Sequence, residues 1–199
     1  MLAQKGNNIQ VYLATHNQNK VNEILKTTPK EITLLSLLSL KQSISWVENG
    51  ETFYENALIK AKTVFNYCKT NTLAEDSGLV IEALGGKPGI HSKRYSGENS
   101  TDEKNISKVL KELNCFDGDK RKAYFYCCLV YIDTKGKITS YNGKCEGSIP
   151  NKPMGKSSFG YDPIFIPDGY NISFAQMTKE EKNRISHRSI AIKQWINSL

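Results

Sequence analysis

The pattern of apolar and polar positions divides the chain into short strands separated by amphipathic helices. Apolar runs with β-branched and aromatic residues predict strands over residues 9–14, 32–40, 73–76, 79–82, 122–133 and 137–146. Helical spacing and capping residues predict helices after residue 20, over 52–69, over 100–113 and after residue 178. Ser186 can cap a further helix, so the last region is predicted to hold either one helix or two.

The connections between these segments favour a mixed α/β architecture. Alternating strands and helices in the first half of the chain are typical of parallel pairing. Residues 134–136 form a tight connection between two strands, which predicts an antiparallel hairpin. Residues 85–89 and 150–163 are rich in glycine and proline and are predicted to be loops.

Composition narrows the class of protein without identifying one. The chain has 199 residues, enough for one large domain or a two-lobed unit with a sizeable core. Its net charge of +7 favours polyanionic partners, such as nucleotide phosphates, anionic lipid or nucleic acid. The basic residues do not form one long run, which argues against a tail that binds nucleic acid.

The sequence also gives expectations about the compartment. No stretch approaches the ~18 apolar residues of a membrane helix, and residues 1–8 lack the apolar core of a signal peptide. The five cysteines are odd in number and show no CxxC spacing, so we expect reduced thiols rather than disulfides or a zinc site. We therefore expect a cytoplasmic protein with no membrane partner.

Candidate phosphate-binding residues lie where the first strand meets the first helix. Thr15, Asn17 and Lys20 offer a hydroxyl, an amide and an ammonium group, all of which can donate to phosphate oxygens. A helix N-terminus beside a polar loop is a favourable place for an anion. The glycines of a Walker A loop are absent, and an ordinary N-cap followed by a solvated lysine would give the same pattern.

A set of carboxylates provides candidate metal ligands. Glu48 and Glu51 lie in a predicted loop, and Glu75 and Asp76 end a predicted strand. Mg²⁺ prefers oxygen ligands and usually takes one or two protein carboxylates together with waters and substrate phosphates. A carboxylate beside such an ion could also orient a water for attack on phosphorus. The alternative is a simple turn, because residues 76–78 are Asp-Ser-Gly.

Two further segments offer groups that could recognise a base. Residues 158–163, which begin with Ser158, place two aromatic residues around Gly160, where a backbone can approach a ligand closely. Lys182 precedes Ser-His-Arg at 186–188, and an arginine fork can bind phosphate or carbonyl oxygens. Aromatic packing of a loop and a structural histidine are the alternatives. The GxSxG and HExxH motifs of serine and zinc hydrolases are absent.

Together these motifs and their order are highly specific. They lie at residues 15–20 (THNQNK), 56–61 (NALIKA), 75–79 (EDSGL), 83–90 (ALGGKPGI), 159–163 (FGYDP) and 181–188 (EKNRISHR). On these motifs the chain resembles the inosine triphosphate pyrophosphatase family, also called the Ham1 family, from residue 9 to about residue 195. Bacterial members often have two aspartates where this chain has Glu75 and Asp76, but the catalytic position of the family, Asp76, is kept.

The resemblance implies an α/β fold with an elongated, two-lobed mixed sheet flanked by helices. Residues 1–199 would form a single nucleoside-triphosphate pyrophosphatase domain, with the nucleotide in a cleft between the lobes, and a homodimer is expected. The implied reaction is Mg²⁺-dependent hydrolysis of ITP, dITP and XTP to the monophosphate and pyrophosphate, with Mn²⁺ as a substitute. Such an enzyme sanitises the nucleotide pool.

The resemblance also implies roles for individual residues. Asp76 would position and deprotonate the attacking water and contribute to the metal site. Glu48 is the expected metal glutamate from its distance to Thr52, and Glu51 stays open as the alternative. The other residues expected to bind the substrate are Thr15, Asn17, Lys20, Lys60, Ser77 and Lys93, together with Phe159, Gly160, Tyr161, Asp162, Lys182, His187 and Arg188, most of which would form the base pocket.

Two alternative functions stay open at the level of sequence. A Maf-type pyrophosphatase would act on other nucleotides such as dTTP or UTP, but residues 186–188 argue against it. A nucleic-acid-binding module would use the net charge of +7, but it leaves Glu48, Glu75 and Asp76 without a role. The sequence therefore favours an enzyme that binds a nucleoside triphosphate and has no nucleic-acid partner.

Overall fold

The fold was analysed in a computed structural model of the chain. The structure describes residues 8–40, 42–156 and 159–199. Ser158, which begins one of the predicted base-binding segments, lies outside the described residues. Among the described residues, no helix has both the length and the apolar character needed to cross a membrane.

The described residues form six strands and five α-helices, joined by short 3₁₀ turns. The strands are β1 (Ile9–Leu13), β2 (Ile32–Ser36), β3 (Thr72–Ile81), β4 (Lys122–Ile132), β5 (Ile138–Ser148) and β6 (Ile166–Pro167). The helices are α1 (Gln18–Thr27), α2 (Phe53–Cys68), α3 (Asp102–Glu112), α4 (Lys179–Ile185) and α5 (His187–Ile196). The 3₁₀ turns are Leu37–Ser39, Glu82–Leu84, Gly89–Arg94, Gly118–Arg121 and Asp162–Ile164.

All six strands belong to one mixed sheet in the order β2-β1-β3-β4-β5-β6. β1 pairs in parallel with both β2 and β3, whereas β5 and β6 are antiparallel. β4 and β5 are neighbours joined by a turn in which Asp133 and Lys137 share a backbone hydrogen bond. The predicted hairpin and the predicted mixed α/β fold are therefore confirmed.

The chain divides into two compact units. One unit comprises the described residues up to Asp76, together with residues 128–141 and 191–199. The other comprises residues 77–127 and the described part of 142–190. The boundaries fall inside β3, β4, β5 and α5. The grouping of the chain into one domain with two lobes stays a prediction.

The core of the first unit is formed by small and branched apolar residues. Ala57, Ala61 and Val64 are fully buried, and their spacing of four and three residues places them on one face of α2. That helix begins as predicted, because Thr52 and Glu55 form both hydrogen bonds of a capping box. The start of α2 is thus fixed locally, whereas its position depends on the buried alanine face.

The prediction that a strand ends in carboxylates at Asp76 is wrong. Thr72–Ile81 is one uninterrupted strand, and residues 76–78 are not a turn. All of its residues except Ser77 are buried, and it lies between β1 and β4. A turn in the middle of a sheet would leave buried backbone groups without hydrogen bonds, which outweighs the local turn preference of Asp-Ser-Gly.

Smaller corrections concern the ends of elements. The predicted strand over 32–40 stops at Ser36, whose side chain accepts from Leu38 N and starts a 3₁₀ turn. On α1, Ile24 is buried, whereas the next residue, Leu25, is 49% exposed. The cap of α3 is Thr101 rather than a box that begins at residue 100.

The terminal region contains two helices, which settles the alternative that the sequence left open. Thr178 forms a capping box with Glu181 at the start of α4. Ser186 ends α4, and its hydroxyl accepts from Ser189 N in the first turn of α5. A second cap in the middle of the region therefore breaks what would otherwise be one helix.

A buried arginine binds backbone carbonyl oxygens of the second unit. Arg121 is 7% exposed, and its guanidinium donates to four backbone carbonyl oxygens. The acceptors are Leu113, Phe116, Ile149 and Pro150, at 2.7 to 3.1 Å. This one side chain therefore ties the end of α3 to the segment that follows β5, and it satisfies carbonyl groups that no strand or helix pairs.

We expect Arg121→Met to destabilise the protein by about 2–4 kcal/mol, because the carbonyls of Phe116, Ile149 and Pro150 lose this donor while the apolar stem is retained. Urea unfolding gives the free energy of unfolding. Lys122→Met is the matched control, since its side chain is 69% exposed, and it should change stability by less than about 0.5 kcal/mol. Equal losses in the two variants would contradict a role for the buried guanidinium.

Candidate active site

The junction between β1 and α1 presents polar side chains that are fixed by the helix cap. Asn17 is the N-cap, and its side-chain oxygen accepts from Asn19 N and Lys20 N. Thr15 Oγ1 accepts from Asn17 N at 3.1 Å. Asn17 is therefore an N-cap, as the local interpretation predicted. These cap bonds use only the acceptor oxygens of the Thr15 and Asn17 side chains. The Thr15 hydroxyl hydrogen and the Asn17 amide hydrogens are not used in these cap bonds and can donate to an anion.

Lysines from two helices meet carboxylates on β3 and on the loop before α2. Lys20 Nζ lies 2.8 Å from Glu75 Oε1. Lys60 Nζ lies 2.9 Å from both Glu48 Oε1 and Asp76 Oδ1. We call these five residues, Lys20, Glu48, Lys60, Glu75 and Asp76, the carboxylate–lysine cluster.

The strand topology explains how two lysines find two neighbouring carboxylates. Glu75 and Asp76 are consecutive in a strand, so their side chains point to opposite faces of the sheet. The chain steps from β1 to β2 through α1 and then back across β1 to β3 through α2. Because both crossovers are right-handed by rule, the two helices cover opposite faces. Each carboxylate therefore meets a lysine from a different helix.

Burial and pairing act differently on the three charged groups around Lys60. Burial raises the pKa of Asp76, and the opposing charges of Lys60 and Lys20 do not fully offset it. Burial also opposes ionisation of Glu48, but the charge and hydrogen bond of Lys60 lower the pKa of that carboxyl overall. Burial disfavours the Lys60 ammonium, yet the three nearby carboxylates raise its pKa. Desolvation thus dominates at Asp76, and ion pairing dominates at Glu48 and Lys60.

The cluster fits the ligand chemistry of a divalent ion. Oδ1 of Asp76 is bonded to Lys60, whereas its buried Oδ2 has no hydrogen-bond partner among the described residues. Glu48 shares the same ammonium, which keeps the two carboxylates close together. The described residues contain no group of three or more His, Cys, Asp or Glu side chains arranged for a metal. Mg²⁺ does not require one, because waters and substrate phosphates complete its shell.

The structure distinguishes the two glutamates that the sequence left open. Glu48 is half-buried and belongs to the cluster, whereas Glu51 is exposed beside the start of α2. The backbone N–H of Glu51 donates to the Glu55 side chain as an extension of the capping box. The geometry therefore favours Glu48 as the metal glutamate.

The second unit brings together residues from β3, the loop before β6 and the two terminal helices. Arg188 is 3% exposed, and its guanidinium donates to Ser77 Oγ at 2.9 Å. Lys182 Nζ forms a 2.6 Å ion pair with Asp162 Oδ2. The ring of His187 is 4% exposed and stacks on Phe125, with a centroid distance of 4.8 Å. Five of the predicted substrate-binding residues are thus held by contacts within this unit.

The FGYD segment is anchored to α3 and to the 3₁₀ turn before it. Gly160 has a φ of +57°, and its N–H donates to Asp102 Oδ2 at 2.8 Å. Tyr161 is buried in the hydrophobic core, and its hydroxyl donates to the Ser92 carbonyl. The Tyr161 ring therefore supports the loop from below, and its contact with a base stays a prediction. Phe159, just before it, is half-buried.

Several residues that sequence reasoning missed help to build the site. Asp102, the first residue of α3, accepts a hydrogen bond from the backbone N–H of Gly160. His16 and Trp46, which lie next to Asn17 and near Glu48 in the sequence, stack on each other with ring centroids 4.6 Å apart. Their proximity along the chain to Asn17 and Glu48 was the only signal available. Lys93, predicted to bind phosphate, lies exposed on the 3₁₀ turn Gly89–Arg94.

Carboxylates that can bind a divalent ion, beside lysines that can neutralise phosphate oxygens, are the groups that metal-assisted enzymes use to cleave phosphate anhydrides. The comparison with known families identifies the group more narrowly. Residues 11–198 match the Ham1 family, and the chain belongs to that family.

Relatives and solved structures are similar to this chain over nearly its whole length. A dITP/XTP pyrophosphatase of Christiangramia forsetii is 41% identical over 191 residues, covering 96% of this chain and 99% of that protein. One of Oceanobacillus iheyensis is 42% identical over 196 residues, with 96% and 99% covered. The structure of a HAM1 protein from Coxiella burnetii superposes with a TM-score of 0.87 and 36% identity, covering 96% of this chain and 98% of that one. The predicted family and the predicted fold class are confirmed.

Neutralising Asp76 and neutralising Lys60 should have opposite effects on the stability of the protein. Because the pKa of Asp76 is raised, its charged form costs stability above the ordinary carboxyl pKa of 3.8. The pKa of Lys60 is raised too, so its charge stabilises the fold at any pH below its ordinary value of 10.5. Near neutral pH, Asp76→Asn should leave the metal-free protein at least as stable as wild type. Lys60→Met should cost about 3–5 kcal/mol, because it strands buried carboxylates.

Urea unfolding of the metal-free protein measures both effects. Lys62→Met, an exposed position on the same helix, is the control for the loss of a lysine and should stay within about 0.5 kcal/mol. Similar destabilisation by Asp76→Asn and Lys60→Met would show that the pair acts as an ordinary stabilising salt bridge.

Proposed function

We propose that this protein hydrolyses the noncanonical purine nucleoside triphosphates ITP, dITP and XTP to the monophosphate and pyrophosphate. The observation that carries the proposal is the pairing of Glu48 and Asp76 around Lys60 in a chain of the Ham1 family. Similar proteins aligned over almost their full length are named dITP/XTP pyrophosphatases. The Maf-type alternative finds no support in these names.

Glu48 and Asp76 are the residues that would hold Mg²⁺, or Mn²⁺ in its place. The partnerless Oδ2 of Asp76, as far as the described residues go, supports this assignment. A divalent ion supplies positive charge to the phosphate oxygens and lowers the pKa of a bound water. Without such charge, the carboxylates would repel a tetra-anionic triphosphate.

Asp76 also positions and deprotonates the water that attacks the α-phosphorus. A raised pKa supports this role, because a carboxylate that binds a proton more readily is a better general base. Glu48, whose pKa is lowered, stays ionised and suits the role of a ligand. Glu48 would thus act as a ligand only, whereas Asp76 would act both as a ligand and as the base.

Lys20 and Lys60 neutralise the triphosphate, assisted by Thr15 and Asn17 at the start of α1. Both lysines are held in place by carboxylates, so little side-chain entropy is lost when an anion binds. The dipole at the N-terminus of α1 adds partial positive charge at the same junction. Lys93, on its exposed turn, would add a further cation.

The second unit supplies groups suited to a purine base. Arg188 donates but cannot accept, so it suits the 6-keto oxygen of inosine or xanthosine and opposes the 6-amino group of adenosine. Discrimination of 10⁴–10⁵ is attainable where a wrong analogue leaves buried polar groups without partners. Asp162 and Lys182, locked in an ion pair, and the stacked ring of His187 complete the set of polar groups. Guanosine has the same keto oxygen, so its exclusion must act at the 2-amino group.

The proposal extends to assembly and setting. A homodimer acting in the cytoplasm, with neither nucleic acid nor membrane as a partner, is the form that we expect to be active. Pyrophosphate release from a panel of ten or so nucleoside triphosphates, with and without Mg²⁺, tests the substrate class. Preferential release from ATP, dTTP or UTP would contradict it.

We expect Asp76→Asn to fold but to lose turnover of ITP by roughly 10²–10⁴, the range for a general base. The assay is pyrophosphate release at saturating Mg²⁺, with the unfolding curve as the check on folding. Turnover within threefold of wild type would remove Asp76 from the mechanism.

Arg188→Ala should lower kcat/KM for ITP by roughly ten- to a hundredfold, the scale for a hydrogen bond to a charged group, and should lower it much less for ATP. The ITP-to-ATP ratio is the measurement, because it does not depend on the fraction of folded protein. Arg184→Ala, on the exposed side of α4, is the matched control and should keep the wild-type ratio. An unchanged ratio in Arg188→Ala would assign base selection to other groups, such as the backbone at Phe159 and Gly160.

A further inference from the structure

Three consecutive backbone N–H groups tie the loop before α2 to side chains in the first turns of that helix. The N–H of Gly50 donates to Asn56 Oδ1 at 2.9 Å. The N–H groups of Glu51 and Thr52 both donate to Glu55 Oε2. Glu55 belongs to the capping box of α2, so its bonds are explained by helix capping. The bond to Asn56 lies outside that motif and has no such explanation.

Gly50 lies directly against α2, with no room for a side chain. A Cβ atom at this position would lie 2.6 Å from Glu55 Cβ and 3.0 Å from both the backbone nitrogen and Oδ1 of Asn56. Neither Glu55 Cβ nor a helix backbone nitrogen can move aside without a shift of the helix itself. Glycine therefore allows the loop backbone to come close enough to bond to the Asn56 amide.

The side chain of Asn56 is buried and only partly satisfied. Asn56 is 1% exposed, and its Oδ1 accepts from Gly50. Its Nδ2 has no hydrogen-bond partner among the described residues. A buried amide donor without a partner costs free energy, and leucine would fill a similar volume without that cost. The stability of α2 alone therefore does not explain an asparagine here, whereas the bond to the loop does.

The loop held by this bond carries Glu48. Residues 43–50 have no helical or strand structure, so their position depends on tertiary contacts. Gly50 follows Glu48 by two residues, and Glu48 Oε1 accepts from Lys60 Nζ at 2.9 Å. Asn56 and Lys60 are four residues apart and lie on one face of α2. That face therefore holds the loop twice, once by its backbone and once by its carboxylate.

We propose that Asn56 is a positioning residue that holds the Glu48 loop against α2, through the backbone of Gly50, so that Glu48 can reach the divalent ion. The inference rests on the proposed function, because it takes Glu48 as a metal ligand. Loss of groups that hold a metal ligand in place typically weakens metal affinity or activity by about 10- to 100-fold. The alternative is that the bond to Asn56 stabilises only the start of the helix.

Asn56→Leu removes the acceptor and keeps a side chain of similar size. We expect the Mg²⁺ concentration for half-maximal turnover of ITP to rise about tenfold, and kcat at saturating Mg²⁺ to stay within about threefold of wild type. The rise in unfolding temperature with Mg²⁺, measured without nucleotide, is independent of turnover and should need about tenfold more Mg²⁺ as well. A lower unfolding temperature with both Mg²⁺ dependences unchanged would overturn the proposal.

Gly50→Ala tests the same contact from the loop, so the proposal does not depend on the folding of Asn56→Leu. The new Cβ should push the loop away from α2 and raise the Mg²⁺ requirement by a similar factor. The double variant should show little more than either single change, because both changes break one contact. Additive shifts would show that the two residues act separately and would overturn the proposal.

Amide hydrogen exchange of the metal-free protein reports on the loop directly. In Asn56→Leu the amide of Gly50 should lose protection, because its acceptor is gone. The amide of Thr52 should keep its protection, because Glu55 still accepts from it. Unchanged protection of Gly50 would show that Asn56 does not hold the loop.

Two control variants make the result specific. Asn66→Leu makes the same substitution at an exposed position of α2 and should leave the Mg²⁺ requirement unchanged. Glu48→Gln should raise the requirement at least as much as Asn56→Leu does. If Glu48→Gln leaves it unchanged, the metal assignment of the proposed function fails and this inference fails with it. If Glu48→Gln shifts it while Asn56→Leu and Gly50→Ala do not, the proposed function stands and the role of Asn56 is overturned.

Discussion

The buried ammonium of Lys60 is the interaction on which the rest of the candidate site depends. It is shared by Glu48 and Asp76, which come from a loop and a strand far apart in sequence. Two carboxylates brought this close would repel each other, and burial alone already raises the pKa of Asp76. The Lys60 ammonium offsets this repulsion with two opposite-charge contacts of 2.9 Å.

Neighbouring parts of the first unit position the Lys60 ammonium. The capping box fixes where α2 begins, and the buried alanine face fixes how the helix lies, so Lys60 is directed inward rather than to solvent. α1 does the same for Lys20 on the other side of β3. In the second unit, polar side chains are held by Arg188, Lys182 and the aromatic group around Phe125, which gives that set of donors and acceptors a comparable rigidity.

Local signals in the sequence were sufficient for most of the fold. Apolar runs and capping residues predicted the strands and helices, because each of these depends on neighbours within a few positions. The prediction for β3 was wrong. Asp-Ser-Gly prefers a turn locally, but pairing with β1 and β4 keeps the strand extended. The hydrogen bond between Asp102 and Gly160 could not be predicted, because it joins two segments whose approach is set by the tertiary fold. The resemblance to a family supplied the candidate site residues, and their physical partners came from the structure.

The continuity of β3 limits how this enzyme can diverge. Glu75 and Asp76 reach different lysines because they occupy consecutive positions of one extended strand in register with β1, so their side chains point to opposite faces. Inserting or deleting a single residue between Thr72 and Glu75 would exchange the faces to which the two carboxylates point. Length changes within this strand are therefore disfavoured, and drift in chain length should be confined to the exposed turns, such as the one after β4.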